Sequence, residues 1–543
     1  MSPSHATPRP HRSPGWTLSL LLVLLHAGAT AAFEASPAAT RNDERRTAAY
    51  LERIRNDPNR LVPFLREMPK GADLHNHASG AVYAESYLRW GAADGLCVEL
   101  ATLSLQAPPC AADAGRPDLA FALAHDGELH DRLVDAMSMR NRDKSPQNGH
   151  DLFFDAFAKF DAATKVRGGD ILAEVTARAG AANLQYLELM LNPDGGAARA
   201  AGRRVGWNDD FGVMHAALLA PVPRDDARKP PAHSMGEIVA GSRAWLDAAQ
   251  ARQRDLLGCA GAHPDPGCAV AVRFVYQVLR ALPPEMVFAQ MVFAFELAAA
   301  DPRAVGVNLV QPEDNPAAVA GFALQMRMLD WLHGVYPAVR ITLHAGELAP
   351  GLVPPEVLRF HVRDSVVVGH ASRIGHGVDV MHEDDPFGLL RELARRNVLV
   401  EICLTSNDLI LGVRGRDHPL ATLIRYGVPV ALATDDEGVA RSDITGEYRR
   451  AVEDQGLAYG QLKRMARASL EHAFVAGGSL WTSPQATTRV AACARDAPGA
   501  AARSPACERY LADNEKARLQ MDLEARLARF EATIARDSAA GVR

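Results

Sequence analysis

The stretch ADLHNHASG (residues 72–80) places two histidines one residue apart, after an apolar position and just before a glycine. On a β-strand, positions i and i+2 point to the same face. His75 and His77 would therefore aim both imidazoles at one point, as a divalent metal requires. Taken alone, the pair could equally be two polar residues straddling a strand end, so the rest of the chain has to decide. Seven further apolar runs follow: LQYLELML (184–191), AVAVRFVYQV (269–278), AVGVNLV (304–310), RITLHAGE (340–347), RIGHGVDV (373–380), VLVEICLTSN (398–407) and PVALATDDE (429–437). Runs of this length, bounded by turn residues, fit strands buried on both faces. Amphipathic stretches such as GFALQMRMLDWLHGV and PFGLLRELARRN separate them. Eight β-then-α units predict a (β/α)8 barrel of the TIM type. The competing fold, a doubly wound open sheet, would usually carry a Gly-rich phosphate loop after its first strand. None is present.

Around this barrel, expected over 69–480, the chain carries additions. Residues 33–68 read as an N-terminal helical extension interrupted by Pro58 and Pro63. Two βα excursions, about 91–150 and 193–268, exceed what a barrel needs; such loops are more often lids, subdomains or contact surfaces than idle linkers. The segment 481–543 reads as a loop followed by a helix whose leucine spacing suits docking on the body, with a second subunit, hence a homodimer, left open. At the other end, residues 1–32 combine Arg9 and Arg12, an apolar run from Leu18 to Leu25 and small residues near Ala31. That is the pattern of a cleaved signal peptide. The expectation is an exported protein, periplasmic or extracellular, with no membrane span after cleavage.

Cysteine usage agrees with export. Six of the seven cysteines fall into near neighbours in loop-like segments, Cys97 with Cys110, Cys259 with Cys268 and Cys493 with Cys507, and each pair is a disulfide candidate. Cys403, inside VLVEICL, is expected to be a buried free thiol. A net charge of −6 and the lack of a dense Lys/Arg tract give no sign of a nucleic-acid surface.

The candidate chemistry gathers at the C-terminal ends of the predicted strands, the functional mouth of such a barrel. The first ends in His75 and His77, the fifth in His344 and Glu347, the sixth holds His376, and the eighth ends in Asp435 and Asp436. Three imidazoles and a carboxylate suit zinc, which lowers the pKa of a coordinated water to about 7. His376, Glu347 and Asp436 are then free for proton handling and substrate orientation. The fourth strand offers no lysine for bridging a second metal, which favours one metal per chain.

In this order, MPKGADLHNHASGA, LHAGE, RIGHGVD, EICLTSN and LATDDEG resemble the adenosine deaminase family. The leader, the helical preface and the MPKG lead-in are most similar to its secreted branch, the adenosine-deaminase-related growth factors. The likeness runs from about Glu67 to Phe474. It implies that His75, His77, His344 and Asp435 hold one Zn²⁺ and that zinc-bound hydroxide attacks purine C6. It also implies that Glu347 protonates the purine N1, that His376 orients the water and accepts its proton, and that Asp436 bonds the purine N7. The reaction implied is deamination of adenosine, and of 2′-deoxyadenosine, to inosine-type products and ammonia. The HxE…PCxxC frame of the nucleic-acid deaminases is missing, so the expected partner is a free purine nucleoside.

Three positions depart from the family pattern. Ser79 stands where an aspartate commonly contacts the ribose, Gln311 stands near a position normally held by glycine, and TDDE replaces TDDP. Ser79 and Gln311 are accordingly candidate substrate contacts, and a modified adenine nucleoside is an alternative substrate. Two other functions are alternatives: hydrolysis of another C–N bond, and a secreted binding protein on an inactive barrel, which should have lost a ligand or the HAGE glutamate. The Phe153, Phe154, Phe157 and Phe160 group sits at helical spacing and is read as packing rather than as a lid. Asn407 could steady the mouth through hydrogen bonds, while His370, His382 and His418 have no motif support as ligands.

Overall fold

The computed structural model describes residues 37–222, 233–500 and 502–540; the expected leader at 1–32 lies outside them. Eight strands form one sheet: β1 Gly71–His77, β2 Leu184–Leu191, β3 Ala271–Leu279, β4 Ala304–Val310, β5 Arg340–Ala345, β6 Arg373–His376, β7 Leu399–Ile402 and β8 Val430–Leu432. Each pairs in parallel with the next in chain order. Every residue of β1 and β2 is buried, as expected for parallel strands covered on both faces. The ring closes just past β8. There the Asp435 N–H donates to the His75 carbonyl and the His77 N–H donates to the Asp435 carbonyl, each at 2.9 Å. The expected (β/α)8 barrel is the observed fold.

The strands stop earlier than the apolar runs suggest. The run read to 380 ends at His376, whose φ of 69° turns the chain out of the sheet. The run read to 407 ends at Ile402, and Leu404–Leu411 is helical instead. A continuous apolar run cannot distinguish a buried strand from a buried helix that follows it.

The N- and C-terminal additions cover the end of the barrel opposite the strand C-termini. The C-terminal helix Glu515–Ala539 sets Leu519, Leu523 and Leu527 against Ala72, Tyr186, Leu399 and Ala431 at the strand beginnings. Its leucine face is thus covered by the body of the same chain. The N-terminal helices Pro37–Ile54 and Pro58–Glu67 pack beside it, with the Phe64 and Phe530 rings 5.1 Å apart. Buried Glu531 accepts from Lys463 and Tyr459, which ties this layer to the helix Tyr459–His472.

The first excursion contains the hairpin Cys97–Glu99/Ser104–Gln106 and the helices Leu119–His125 and Gly127–Ala136. The second contains the helices Ala197–Val205, Phe211–Leu219 and Met235–Leu256. All three expected disulfides are present, Cys97–Cys110, Cys259–Cys268 and Cys493–Cys507, and Cys403 is buried and free. No helix among the described residues is long and apolar enough to cross a membrane.

Candidate active site

Barrel closure brings Asp435 to the two histidines of β1, because its backbone bridges to both. The His75 and His77 side chains then meet His344 from the end of β5. His344 Nε2 lies 3.1 Å from His75 Nε2 and 3.3 Å from His77 Nε2, while Asp435 Oδ1 lies 3.5 and 3.3 Å from the same two nitrogens. All four residues are buried. A regular tetrahedron with edges of about 3.3 Å places its centre about 2.0 Å from every corner, which is the Zn–N and Zn–O bond length. Three Nε2 lone pairs and a carboxylate converging at this spacing fit a cation.

Behind each imidazole stands an acceptor that holds its other nitrogen. His75 Nδ1 meets Glu401 at 2.7 Å, His77 Nδ1 meets Gln277, and His344 Nδ1 meets Asn308 at 3.0 Å. Such contacts place the hydrogen on Nδ1 and leave Nε2 as the ligating atom. Burial works against a charged His75, yet the hydrogen bonds it donates to Asp435 and Glu401 still lift it to about 10. The negative field of the pocket therefore also suits a cation. Glu401 is itself held by Arg373 at 2.6 Å, and Arg373 reaches Glu188 at 2.6 Å. The sequence reading missed Gln277, Asn308 and Glu401. A signal was present for two of them: Asn308 and Glu401 are each the lone polar residue of an otherwise apolar strand, and such a group is buried only with a partner, whereas Gln277 shares its strand with Arg273.

A second grouping, His75, His376, Cys403 and Asp435, shares two of these residues. It is the poorer donor set. Burial and the nearby carboxylates hold the Cys403 thiol protonated, whereas a metal takes the thiolate.

The other predicted residues surround the same point. Glu347 and Asp436 line a cavity of about 710 Å³ together with His77, His344 and Asp435. Burial, reinforced by Asp435 and Glu313, raises the Glu347 carboxyl well above the ordinary glutamate range. The Glu347 backbone N–H donates to Glu313 at 2.7 Å, which pins the HAGE turn. Burial, followed by the charge of Asp435, likewise raises Asp436, and its buried Oδ1 has no protein partner. Gly80 is required beside it, because a Cβ there would lie 1.5 Å from that oxygen. His376 is fully buried and its Nε2 lies 3.7 Å from Glu347 Oε1. Burial lowers its pKa to about 3.

Ser79 and Gln311 also line the cavity. Gln311 has a φ of 87°, and its side-chain oxygen accepts from the Ala281 N–H at 3.0 Å, so its amide also braces the neighbouring loop. Backbone strain of this kind costs about 1–3 kcal/mol and gathers at functional sites. The phenylalanine group divides. Phe160 is core, whereas Phe153, Phe154 and Phe157 form one wall of the cavity, so the stripe read as packing also builds the site.

The model of the family described as adenosine deaminase matches residues 256–478, which hold Glu347, His376, Asp436 and two of the four converging donors. Over these residues the chain is similar to the adenosine deaminase family. An adenine deaminase of Sinorhizobium medicae is 34% identical over 175 residues, covering 32% of this chain and 49% of that protein. An adenosine deaminase of Shewanella loihica is 36% identical over 136 residues, covering 25% of this chain and 38% of that one. The chain thus spans about half or less of the length of these two relatives. Among solved structures, an Arabidopsis N6-mAMP deaminase superposes with a TM-score of 0.48 at 20% identity, covering 76% of this chain and 96% of that one. His75 and His77 lie outside the matched segment and join the site through the barrel geometry alone.

Proposed function

We propose that the protein is a metal-dependent purine-nucleoside deaminase, with adenosine as its leading substrate and 2′-deoxyadenosine next. One observation carries this reading: a single cavity is lined by three of the four converging donors, His77, His344 and Asp435, beside two carboxyls, Glu347 and Asp436, whose burial favours the acid form. Its volume of about 710 Å³ lies within the range of about 300–1,000 Å³ for sites that enclose small organic ligands. Among the described residues its lining includes no lysine or arginine, which favours a neutral nucleoside over a nucleotide.

His75, His77, His344 and Asp435 would hold the metal, for which zinc is the proposal, one per chain, and it would supply a water of lowered pKa. Glu347 in its acid form gives a proton to the purine N1 and makes C6 electrophilic. His376, whose Nε2 lies 3.7 Å from Glu347 Oε1, orients the attacking water. The water oxygen bonds to C6, and one of its protons goes to the amino group, which leaves as ammonia. The other proton returns to Glu347 as the C6 carbonyl forms. Asp436 in its acid form donates to the purine N7 and fixes the ring against this constellation. Ser79 and Gln311 are the proposed contacts for the sugar and the base.

The chain boundaries expected above, 33–68, 69–480 and 481–543, belong to the same proposal. So does export after loss of residues 1–32, which three disulfides support. The test is a panel of adenosine, 2′-deoxyadenosine, adenine, an N6-modified adenosine and adenosine monophosphate, read by ammonia release. Adenosine should head the panel. Preference for adenine or for the monophosphate would overturn the nucleoside reading, and inertness toward every member would overturn the deaminase reading.

A further inference from the structure

His376 Nδ1 faces an amide NH2, whereas the Nδ1 atoms of His75, His77 and His344 face side-chain oxygens. Asn407, on the helix Leu404–Leu411, lies with its Nδ2 3.0 Å from His376 Nδ1. Its Oδ1 lies 3.1 Å from His418 Nε2, and His418 Nδ1 lies 3.2 Å from the backbone nitrogen of Leu420. An amide between two rings can run in either direction, since each ring nitrogen both donates and accepts in the right tautomer. The Leu420 end removes the choice. Leu420 opens the helix Leu420–Arg425 after Pro419, so its N–H has no carbonyl within that helix and can only donate.

The direction then propagates inward. His418 Nδ1 accepts from Leu420, and burial with the charge of Arg450 keeps the ring neutral by lowering its pKa to about 4. Its single hydrogen therefore sits on Nε2 and is donated to Asn407 Oδ1. The Asn407 NH2 is left facing His376 and donates to Nδ1. His376 must then carry its hydrogen on Nε2, the atom that is buried without a protein partner and turned toward Glu347. His376, Asn407 and His418 are at most 2% exposed, so bulk water does not reverse the chain.

We infer that Asn407 and His418 are positioning residues that hold His376 as its Nε2–H tautomer, which makes the ring a hydrogen-bond donor to the attacking oxygen. Its mechanistic consequence rests on the deaminase reading; the tautomer itself does not. A ring with its hydrogen already on Nε2 has no lone pair there, so it aims and stabilises the oxygen and does not take the water's proton. This departs from the acceptor role that the family resemblance implies.

Two readouts test the inference. The first is 15N-histidine NMR of the metal-loaded protein without substrate, with the His376 signals identified by their loss in His376→Gln. The parent should show the hydrogen on Nε2. Asn407→Asp, whose carboxylate can only accept, should move it to Nδ1. A parent ring protonated on Nδ1, or an Asn407→Asp ring still protonated on Nε2, would overturn the inference whatever the substrate proves to be. The second is kinetic, with adenosine. His418→Leu removes the donor to Asn407 and should lower kcat about 100-fold, the scale of a misdirected proton-handling group. KM and bound metal should stay within about twofold of the parent. His418→Gln retains an N–H donor toward Asn407 and an acceptor for Leu420, and should restore kcat to within about fivefold. Parental kcat in His418→Leu, or no restoration by His418→Gln in a folded, metal-loaded protein, would overturn it.

Discussion

Glu401→Gln is the most informative single change around the metal cluster, because it alters one atom in a fully buried side chain. The two oxygens of Glu401 serve three donors. Oε2 accepts from His75 Nδ1 at 2.7 Å, and Oε1 accepts from Arg373 Nε at 2.6 Å and from the Thr342 hydroxyl at 3.0 Å. Glutamine has nearly the same shape but replaces one acceptor with an NH2. If that group faces His75, the ring must accept on Nδ1 and carry its hydrogen on Nε2, where the lone pair is needed for metal. If it faces Arg373, two donors meet in a dry interior. Either way, the support behind one ligand is lost, which costs about 10–100-fold in metal affinity, or about 1.4–2.7 kcal/mol. Removing one partner of a buried ion pair costs about 3–5 kcal/mol of stability. The lower end is expected here, because Glu188 still holds Arg373 at 2.6 Å. Zinc affinity is measured by competition with a chromophoric chelator, and stability by urea unfolding of the metal-free protein. A zinc Kd within about twofold of the parent, with an unchanged urea midpoint, would refute this account of Glu401.

Further expectations concern other parts of the account. Glu347→Gln should keep its metal and lose about 10²–10⁴-fold in kcat, checked by metal analysis beside ammonia release. Chelation should abolish ammonia release from adenosine and added zinc should restore it, whereas turnover that persists in metal-free protein would remove the metal from the reaction. Phe157→Ala opens the cavity wall, so KM should rise about 10-fold with a smaller change in kcat, as read from initial rates. Replacing both Cys493 and Cys507 with serine opens a 14-residue separation. It should cost about 2–4 kcal/mol in urea unfolding and leave adenosine turnover unchanged, because the bridge lies outside the cavity lining.

The barrel was legible because parallel strands covered on both faces must be apolar throughout, so polar residues at their ends stand out. HNH, HAGE, GH and DD were visible for that reason. The three excess cysteine pairs were legible from proximity alone. The strand ends were less so: nothing in VLVEICLTSN marks the switch from sheet to helix after Ile402. Register is also unwritten in local sequence. Gln277, Asn308 and Glu401 carry no motif, and only the sheet register aligns each with an imidazole from another strand. No motif marks His418, because its partner is an asparagine rather than a metal. The phenylalanine stripe was read as core because helical spacing reports which face is apolar, not whether that face meets packing or a cavity.

The central claim is that His75, His77, His344 and Asp435 hold one divalent ion. X-ray absorption at the zinc edge of the purified protein, beside His344→Ala, tests it most directly. The expected result is one zinc per chain with nitrogen and oxygen neighbours at about 2.0–2.2 Å and no sulfur, and loss of that ion in His344→Ala. A sulfur neighbour from Cys403, or zinc retained unchanged in His344→Ala, would contradict it.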